Sequence, residues 1–306
     1  MRFIKQDTVD ADDFLAATGA FDLAFVGRSD LDDRSAFSVQ KSSSLALRSL
    51  SVHYDPVNFE LHVGSDVFRT DTLEDLPLAH GAASIVMDAT TLEFPEIALI
   101  LKAYGRMASP APRCVFIYTE PAEYVRRPAE EAAPGSAFDL TNTFRARNAI
   151  PMFTPMLSDR HRAHLVAFLG FEGARLLRVL SEDDGHLYKE VTVSFGIPPF
   201  QATFDMHALM ANTRLIEQCS PNVMFSAANN PKAAYQLLQE VHRGLGGSSC
   251  NRIAVAPLGT KPAAIGTALY CIDAEAMRVV YDHPERKKGR TKGVHRIHWY
   301  EVQLGA

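Results

Sequence analysis

The sequence contains little cysteine and no long apolar run. Its four cysteines, Cys114, Cys219, Cys250 and Cys271, are widely spaced and include no C-x-x-C pair. This spacing indicates neither a zinc site nor a disulfide framework. No window approaches the ~20 apolar residues of a membrane-spanning helix. We therefore expect a soluble, unprocessed protein of the reducing cytoplasm, with no membrane partner.

Common catalytic and cofactor motifs are also missing from the sequence. There is no G-x-S-x-G elbow, Walker lysine loop, G-x-G-x-x-G fingerprint or H-E-x-x-H helix. Hydrolase and dehydrogenase interpretations therefore lack their usual support. The pairs His161/His164 and His295/His298 lie in predicted strands, where an i, i+3 spacing directs the two rings to opposite faces. We predict no cofactor and no metal site.

The charge balance is slightly acidic. Lysine and arginine total 31 against 36 aspartates and glutamates, for a formal charge of −5. This composition argues against a protein that coats nucleic acid. One segment, RKKGRTKGVHR at 286–296, is strongly basic and is followed by Trp299 and Tyr300. It is either a solvated basic loop or a loop that closes over a polyanion, so nucleic-acid binding is expected only there.

Apolar strand patterns alternate with helical patterns through most of the 306 residues. In the C-terminal half, strands are predicted at 164–170, 190–196, 222–227, 251–257 and 277–282, with helices at 172–180, 206–218, 232–245 and after residue 260. Such alternation predicts parallel strands joined by crossover helices. The predicted fold class is therefore α/β, with Rossmann-like doubly wound parallel sheets. The segment 295–304 is expected to add a last strand at an edge of the C-terminal sheet.

The two halves of the sequence resemble each other. AFVG at 24–27 matches AFLG at 167–170, and the strand-turn-helix segment 83–105 parallels 252–272. We expect two divergent copies of one unit. The segment 128–139 between them is rich in Ala, Pro, Gly and acid, which is typical of a linker. The predicted domains are an N-terminal α/β domain at 1–140 and a C-terminal Rossmann-like ligand-binding domain at 150–306.

The most informative stretch is 251–270, NRIAVAPLGTKPAAIGTALY. It predicts a buried strand that enters a helix through Gly259, Thr260 and Lys261. Gly259 allows a ligand to approach the backbone, Thr260 is a good N-cap, and Pro262 suits the first helical turn. A helix N-terminus beside a lysine favours an anion, so we predict a site for a nucleotide or another phosphorylated small molecule. The alternative is an ordinary turn with a surface lysine.

Ligands of open α/β sheets bind at the carboxyl ends of the strands. Residues that follow the predicted strands therefore supply the candidate ligand-binding set: Gly170, Phe171, Glu172, Arg175, Asn229, Gly259, Thr260, Lys261 and Arg286. Candidate acids or bases come from the same positions and are Asp88, Glu172 and His283. Asp88 is equally explained as the N-cap of the helix that begins near Pro95.

The segment 256–262 and the helix after it resemble the strand-turn-helix signature of the CRISPR-associated Rossmann-fold (CARF) sensor domains. The α/β order of 160–285 fits this resemblance. It implies that Gly259, Thr260 and Lys261 contact a cyclic oligoadenylate or related nucleotide, and that residues 170–172 line the same pocket. It also implies a homodimer. Because no effector nuclease domain is evident, a sensor of this kind would act through a separate effector protein.

Three functions follow from these observations. The preferred hypothesis is a nucleotide-sensing protein of a prokaryotic defence or signalling system. The second is an enzyme, a hydrolase or transferase, that acts on a nucleotide or phosphosugar in a cleft between the two domains. The third is an assembly subunit that binds another protein.

Overall fold

The computed structural model describes residues 2–14, 20–69, 71–105, 112–127, 137–144, 149–155, 162–182, 187–246, 251–274 and 277–304. The chain divides into two compact units. The first unit comprises Met1–Val125 and Arg286–Ala306, and the second comprises Arg126–Glu285. The second unit is therefore inserted into the sequence of the first.

The described strands, in chain order, are β1 (Arg2–Asp10), β2 (Phe21–Val26), β3 (Ala46–Asp55), β4 (Glu60–Val63), β5 (Asp66–Phe68), β6 (Ser84–Asp88), β7 (Arg113–Tyr124), β8 (Thr141–Phe144), β9 (Arg162–Phe168), β10 (Tyr188–Gly196), β11 (Asn222–Ser226), β12 (Asn251–Pro257), β13 (Arg278–Val279), β14 (Pro284–Arg286) and β15 (Thr291–Gln303). The described α-helices are α1 (Asp33–Ser44), α2 (Leu76–Ala79), α3 (Phe94–Gly105), α4 (Ala174–Glu182), α5 (Phe204–Ala211), α6 (Thr213–Cys219), α7 (Pro231–Gly244) and α8 (Lys261–Asp273). In the part of the chain that the structure covers, no helix has both the length and the apolar character needed to cross a membrane.

The first unit is built on an eight-stranded sheet of order β1-β15-β7-β6-β2-β3-β4-β5. The four central strands, β7, β6, β2 and β3, are parallel. Antiparallel strands extend the sheet at both ends. Strands β2, β6 and β7 are almost continuously buried. Such apolar runs are typical of parallel strands that are covered on both faces.

The second unit contains a five-stranded sheet of order β11-β10-β9-β12-β13, and all of its pairs are parallel. Helices α4, α5 and α6 cover one face, where Leu176, Ala208 and Leu215 pack on residues such as Leu165. The side chains of β9 that point to the opposite face of the sheet, including Val166, are also buried. The predicted α/β fold with a Rossmann-like parallel sheet is confirmed at this level.

The helix predicted at 206–218 is in fact two helices, α5 and α6, which meet at Asn212. The side-chain amide of Asn212 donates to the carbonyls of Ala208 and Gly170. Asparagine competes for backbone hydrogen bonds in this way, and the helix is interrupted there. The strand predicted at 277–282 is also shorter, because only Arg278–Val279 pair with β12.

The last strand does not belong to the C-terminal sheet. Strand β15 lies between β1 and β7 in the first unit, so residues 286–306 belong there and not to a domain at 150–306. Its apolar side chains Ile297, Tyr300 and Val302 are fully buried in that unit. The prediction that segment 295–304 forms an edge strand of the C-terminal sheet is therefore wrong. Residues 128–136 of the predicted linker lie outside the described residues.

The basic segment 286–296 is mainly strand and not a loop. Strand β14 ends at Arg286 and β15 begins at Thr291, with a short exposed turn at 287–289 between them. Gly289 takes a φ of +66° in this turn. Within β15 the basic side chains Lys292, His295 and Arg296 are exposed, whereas Thr291 at the start of the strand is buried.

Helices α7 and α8 approach closely at Gly266. A Cβ on Gly266 would lie 2.1 Å from the Pro231 carbonyl oxygen and 3.0 Å from the Ala234 Cβ. We predict that Gly266→Ala lowers the free energy of unfolding by about 1–3 kcal/mol, because the α7 backbone must move. The better helix propensity of alanine, about 1 kcal/mol, offsets only part of that cost. Urea denaturation measures the change.

Gly244→Ala is the matched control for this prediction. Gly244 is also helical, but a Cβ there would meet no heavy atom within 4 Å. Its stability should be unchanged or slightly higher. Equal losses in the two variants would contradict the steric explanation.

Candidate functional site

The candidate site of the second unit lies at the carboxyl edge of its sheet, between β9 and β12. The strand order reverses at this position, because the chain proceeds from β9 to β10 on one side and returns to β12 on the other. Ligands of open α/β sheets bind at such reversals. The residues that follow these strands, 169–173 and 258–260, are here called the switch-point turns.

The backbones of the two switch-point turns are in direct contact. A Cβ on Gly170 would lie 3.6 Å from the Gly259 Cα, and a Cβ on Gly259 would lie 3.0 Å from the Leu169 carbonyl oxygen. A side chain at Gly259 would therefore press on backbone atoms that cannot easily move. Two residues of the predicted ligand-binding set, which are far apart in sequence, are thus brought together.

Gly173 imposes a second close approach, which we did not predict. Its Cβ would lie 1.9 Å from the Ala211 carbonyl oxygen, so the start of α4 packs directly on the end of α5. The spacing Gly170-x-x-Gly173 was the available sequence signal, since paired glycines in a first strand-helix turn permit close helix packing.

Helix α8 begins at the second switch-point turn. Thr260 is its N-cap, as predicted, and the Thr260 Oγ1 accepts a hydrogen bond from the Ala263 amide at 3.3 Å. The same hydroxyl donates to the Ala228 carbonyl at 2.8 Å. This bond joins the start of α8 to the turn after β11, which contains the candidate Asn229. Asn229, Gly259, Thr260 and Lys261 are all half-buried.

Arg175 supports the second switch-point turn. Its guanidinium forms a two-pronged ion pair with Asp282, at 2.6 and 2.8 Å, and donates to the Leu258 carbonyl at 3.3 Å. Burial disfavours the charge on Arg175, but Asp282 raises its pKa above the ordinary value. These contacts give Arg175 a positioning role. Asp282 is a further site residue that no local sequence pattern indicated.

Glu172 and Phe171 hold residues 138–141 against the first switch-point turn. The Glu172 carboxylate accepts from the Leu140 amide at 3.2 Å and from the Thr141 hydroxyl at 2.9 Å. Phe171 packs on Phe138, with ring centroids 4.7 Å apart. Both oxygens of Glu172 are therefore occupied by structural hydrogen bonds, which does not favour its use as a catalytic acid or base.

Asp88, the candidate acid in the first unit, is fully buried. Its carboxylate accepts from the hydroxyls of Ser38 (2.7 Å) and Thr91 (2.6 Å) and from the Thr90 amide (3.1 Å). Burial raises the pKa of Asp88, and these hydrogen bonds oppose the rise. Helix α3 begins only at Phe94, so Asp88 organises the turn after β6 and is not the N-cap of that helix.

The side chains of Arg286 and His283 also make contacts within the protein. The Arg286 guanidinium donates to the carbonyls of Thr90, Thr91 and Leu92 at 2.8–3.2 Å, all within the first unit. His283 is buried and packs edge-on against Tyr281 at 5.2 Å. The structure therefore assigns Arg286 to the turn after β6, whereas Lys261 belongs to the second unit.

Among the described residues, no group of three or more His, Cys, Asp or Glu side chains is arranged to hold a metal ion.

Asn212 is another site residue that sequence reasoning missed. Its amide nitrogen donates to the Gly170 carbonyl at 2.9 Å, which fixes the first switch-point turn from behind. Only the folded structure brings Asn212 to Gly170, so no local signal could have found it.

No protein-family model and no curated protein sequence matches this chain. A comparison with solved structures finds the crystal structure of a ketoreductase domain from the bacillaene assembly line. The two are 8% identical, and the match covers 87% of this chain and 67% of that chain with a TM-score of 0.20. A similarity this weak supports no argument about fold or function.

The first turn of α3 contains a buried titratable group, Glu96. It accepts from the Glu93 amide at 2.6 Å, as in a capping box, and from the Tyr54 amide at 3.0 Å. Burial, with the nearby charge of Glu93, raises the pKa of Glu96 to about 7. The folded state thus binds this proton more tightly than the unfolded state does.

We predict that stability contributed by Glu96 is present below the ordinary glutamate pKa of 4.5 and is lost as the pH rises towards 7. The unfolding free energy of the wild type should therefore fall across this window relative to Glu96→Gln. The expected fall is about 1.4 kcal/mol for each pH unit between the unfolded and folded pKa values. Urea denaturation at several pH values in this window tests the prediction. Parallel pH profiles for the two proteins would contradict it, whatever the constant offset from the lost hydrogen bond.

Proposed function

We propose that the second unit binds a nucleotide, or another phosphorylated small molecule, at the switch-point turns. The protein would act as a sensor that passes the bound state to a separate effector protein. The observation that carries this proposal is the contact between Gly170 and Gly259 at the N-terminus of α8.

The electrostatics of this position suit a phosphate group. Helix α8 has 13 residues, and a helix carries roughly half a positive charge at its N-terminus. Lys261 is the first residue of this helix and adds a cation. Gly170 and Gly259 allow the two turns to touch at the start of α8. The backbone amides of that helix N-terminus would bind the anion beside this contact.

The surroundings of the candidate acids and bases support binding over chemistry. Asp88 is enclosed by three donors, both oxygens of Glu172 accept hydrogen bonds from residues 140–141, and His283 is buried. A general acid or base must reach the substrate proton directly or through one water. A sensor needs no such group.

The strand-turn-helix segment 256–262 supports membership of a CARF-like class of prokaryotic defence or signalling sensors, which would also imply a homodimer. This part of the proposal rests on the sequence resemblance.

We also propose that the two units are divergent copies. The parallel order β3-β2-β6-β7 of the first unit corresponds to β10-β9-β12-β13 of the second. Each unit also places a glycine after its first parallel strand against the turn of a neighbouring strand. In the first unit this is Gly27, whose Cβ would lie 2.6 Å from the carbonyl group of Thr91. The equivalent Gly170 contacts the neighbouring turn at an ordinary van der Waals distance of 3.6 Å. A glycine that faces the neighbouring turn at the same position in both units supports a common origin.

Lys261→Ala should weaken binding of the phosphorylated ligand by about 1.5–3 kcal/mol, the usual worth of a hydrogen bond to a charged group. Titration calorimetry with nucleoside phosphates and linear and cyclic oligoadenylates measures this loss. The melting temperature of the ligand-free protein should hardly change.

Lys189→Ala is the matched control for the binding experiment. Lys189 is exposed near the start of β10, at the opposite edge of the same sheet. Removing it changes the net charge equally without touching the switch-point turns. If both substitutions weaken binding equally, the loss reflects the net charge of the protein and not a contact of Lys261 with the ligand. Unchanged affinity in Lys261→Ala would exclude the site.

The sensor hypothesis also predicts that bound ligand is recovered intact. Prolonged incubation followed by chromatography should return the starting compound. Conversion to product that is abolished by Glu172→Gln would instead establish the enzyme hypothesis.

A further inference from the structure

Three arginines lie at the carboxyl edge of the first unit's sheet. Arg34 is in the first turn of α1, Arg286 contacts the turn after β6, and Arg290 directly precedes β15. These three residues are here called the arginine cluster. They belong to a different unit from the switch-point turns, so the inference below does not depend on the proposed function.

Arg34 is 3% exposed, and its partners include the side chain of Tyr118. Its Nη1 donates to the Thr119 carbonyl at 3.4 Å, and its Nη2 lies 4.0 Å from the Asp32 carboxylate. Its Nε is buried and has no hydrogen-bond partner within the described part of the chain. One donor of the side-on guanidinium fork is therefore unsatisfied.

Asp32 cannot fully compensate Arg34, because it is also the N-cap of α1. Its carboxylate accepts from the amide and hydroxyl of Ser35, at 2.8 and 2.6 Å, and from the hydroxyl of Thr291. Burial would raise the pKa of Asp32, but Arg34 and these hydrogen bonds lower it below its ordinary value. Asp32 is thus an ionised carboxylate that several donors share.

Arg290 is the second under-satisfied member of the cluster. Its Nε is buried and also has no partner among the described residues. Its carbonyl accepts from the Val125 amide at 2.9 Å, which fixes the backbone beside the end of β7. Burial, with repulsion from Arg286 and Arg34, lowers the pKa of Arg290 to about 10. Arg290 is therefore close enough to Arg286 and Arg34 for their charges to disfavour its own.

Arg286 contributes charge to the cluster while its own donors are occupied. Its Nη atoms donate to the carbonyls of Thr90, Thr91 and Leu92, and the Glu93 carboxylate lies 3.9 Å from its Nε. The carboxylates beside the cluster are Asp32 near Arg34, and Glu93 and Glu96 near Arg286.

A buried donor without a partner, on a charged group, is costly, and native proteins seldom retain one without a reason. An oxyanion of the phosphate class would relieve this cost in two ways. Its oxygens match the planar fork of Nε and Nη, and its charge of about −1.5 to −2 offsets the repulsion that Arg34 and Arg286 exert on Arg290. A monovalent carboxylate would supply less charge for the same fork.

We propose that Arg34 and Arg290, with the charge of Arg286 beside them, bind a phosphate-class oxyanion in the first unit. The position agrees with the ligand-binding edge of an open α/β sheet, since Arg34 follows β2 and Thr119 belongs to β7.

Titration calorimetry of the full chain with inorganic phosphate and pyrophosphate, at low ionic strength, tests this site. The wild type should bind, and Arg290→Gln and Arg34→Gln should each weaken binding at least tenfold. Arg296→Gln is the matched control, because Arg296 is a half-exposed arginine of β15, the strand that follows Arg290, and is paired with Asp10. Its affinity should equal that of the wild type.

A stability measurement separates this role from a purely structural one. Removing an uncompensated buried charge should leave the melting temperature of ligand-free Arg290→Gln equal to or above that of the wild type. If Arg290→Gln does not fold, Arg290→Lys keeps the charge but loses the fork, and should still bind more weakly. Wild-type affinity in the variant that folds would overturn the proposal.

Two further outcomes are informative. Failure of the wild type to bind either phosphate or pyrophosphate would overturn this site. Binding that is lost in Lys261→Ala but kept in Arg290→Gln would place the anion in the second unit, which refutes the arginine site and leaves the proposed function intact. Binding kept in Lys261→Ala and lost in Arg290→Gln is the expected result.

Discussion

The arrangement of the second unit depends on one steric constraint, the contact of peptide backbones where the turns after β9 and β12 meet. A Cβ on Gly259 would lie 3.0 Å from a carbonyl oxygen, and one on Gly173 would overlap the backbone of Ala211. Because glycine satisfies both contacts, the turn after β12 can lie against the turn after β9, and α4 can start against the end of α5. The remaining polar contacts, from Arg175 to Leu258 and from Asn212 to Gly170, hold that arrangement in place.

The first unit meets the same constraint at Gly27 but uses the surrounding space differently. There the turn after β6 is filled by the hydrogen bonds of Asp88 and fastened by Arg286. The polar groups of this turn thus form hydrogen bonds within the protein. The under-satisfied donors lie further along the same edge, on Arg34 and Arg290. The groups proposed to bind anions therefore differ between the two sheets, being a helix N-terminus in the second unit and guanidinium groups in the first.

Sequence reasoning succeeded where the deciding interactions are local. Thr260 caps α8 through the Ala263 amide three residues away, and the apolar runs of β9, β10 and β12 follow from short-range patterns. It failed where the partner is distant. The pairing of β15 with β1 and β7, the ion pair of Arg175 with Asp282, and the carbonyl partners of Arg286 join residues separated by a hundred positions or more. Strand β15 was also misleading because its exposed positions are basic, which resembles a loop.

The return of β15 to the first unit has a consequence for the order of folding. The strands β1 and β7 are synthesised before the second unit, but their common neighbour β15 is synthesised after it. The second unit is continuous in sequence and can bury its own core as soon as it leaves the ribosome, since domains generally fold as units during synthesis. The first unit must keep one side of β7 unpaired throughout that time. An exposed apolar strand edge invites pairing with other chains, so the nascent chain is exposed to aggregation at β7 until β15 has been synthesised.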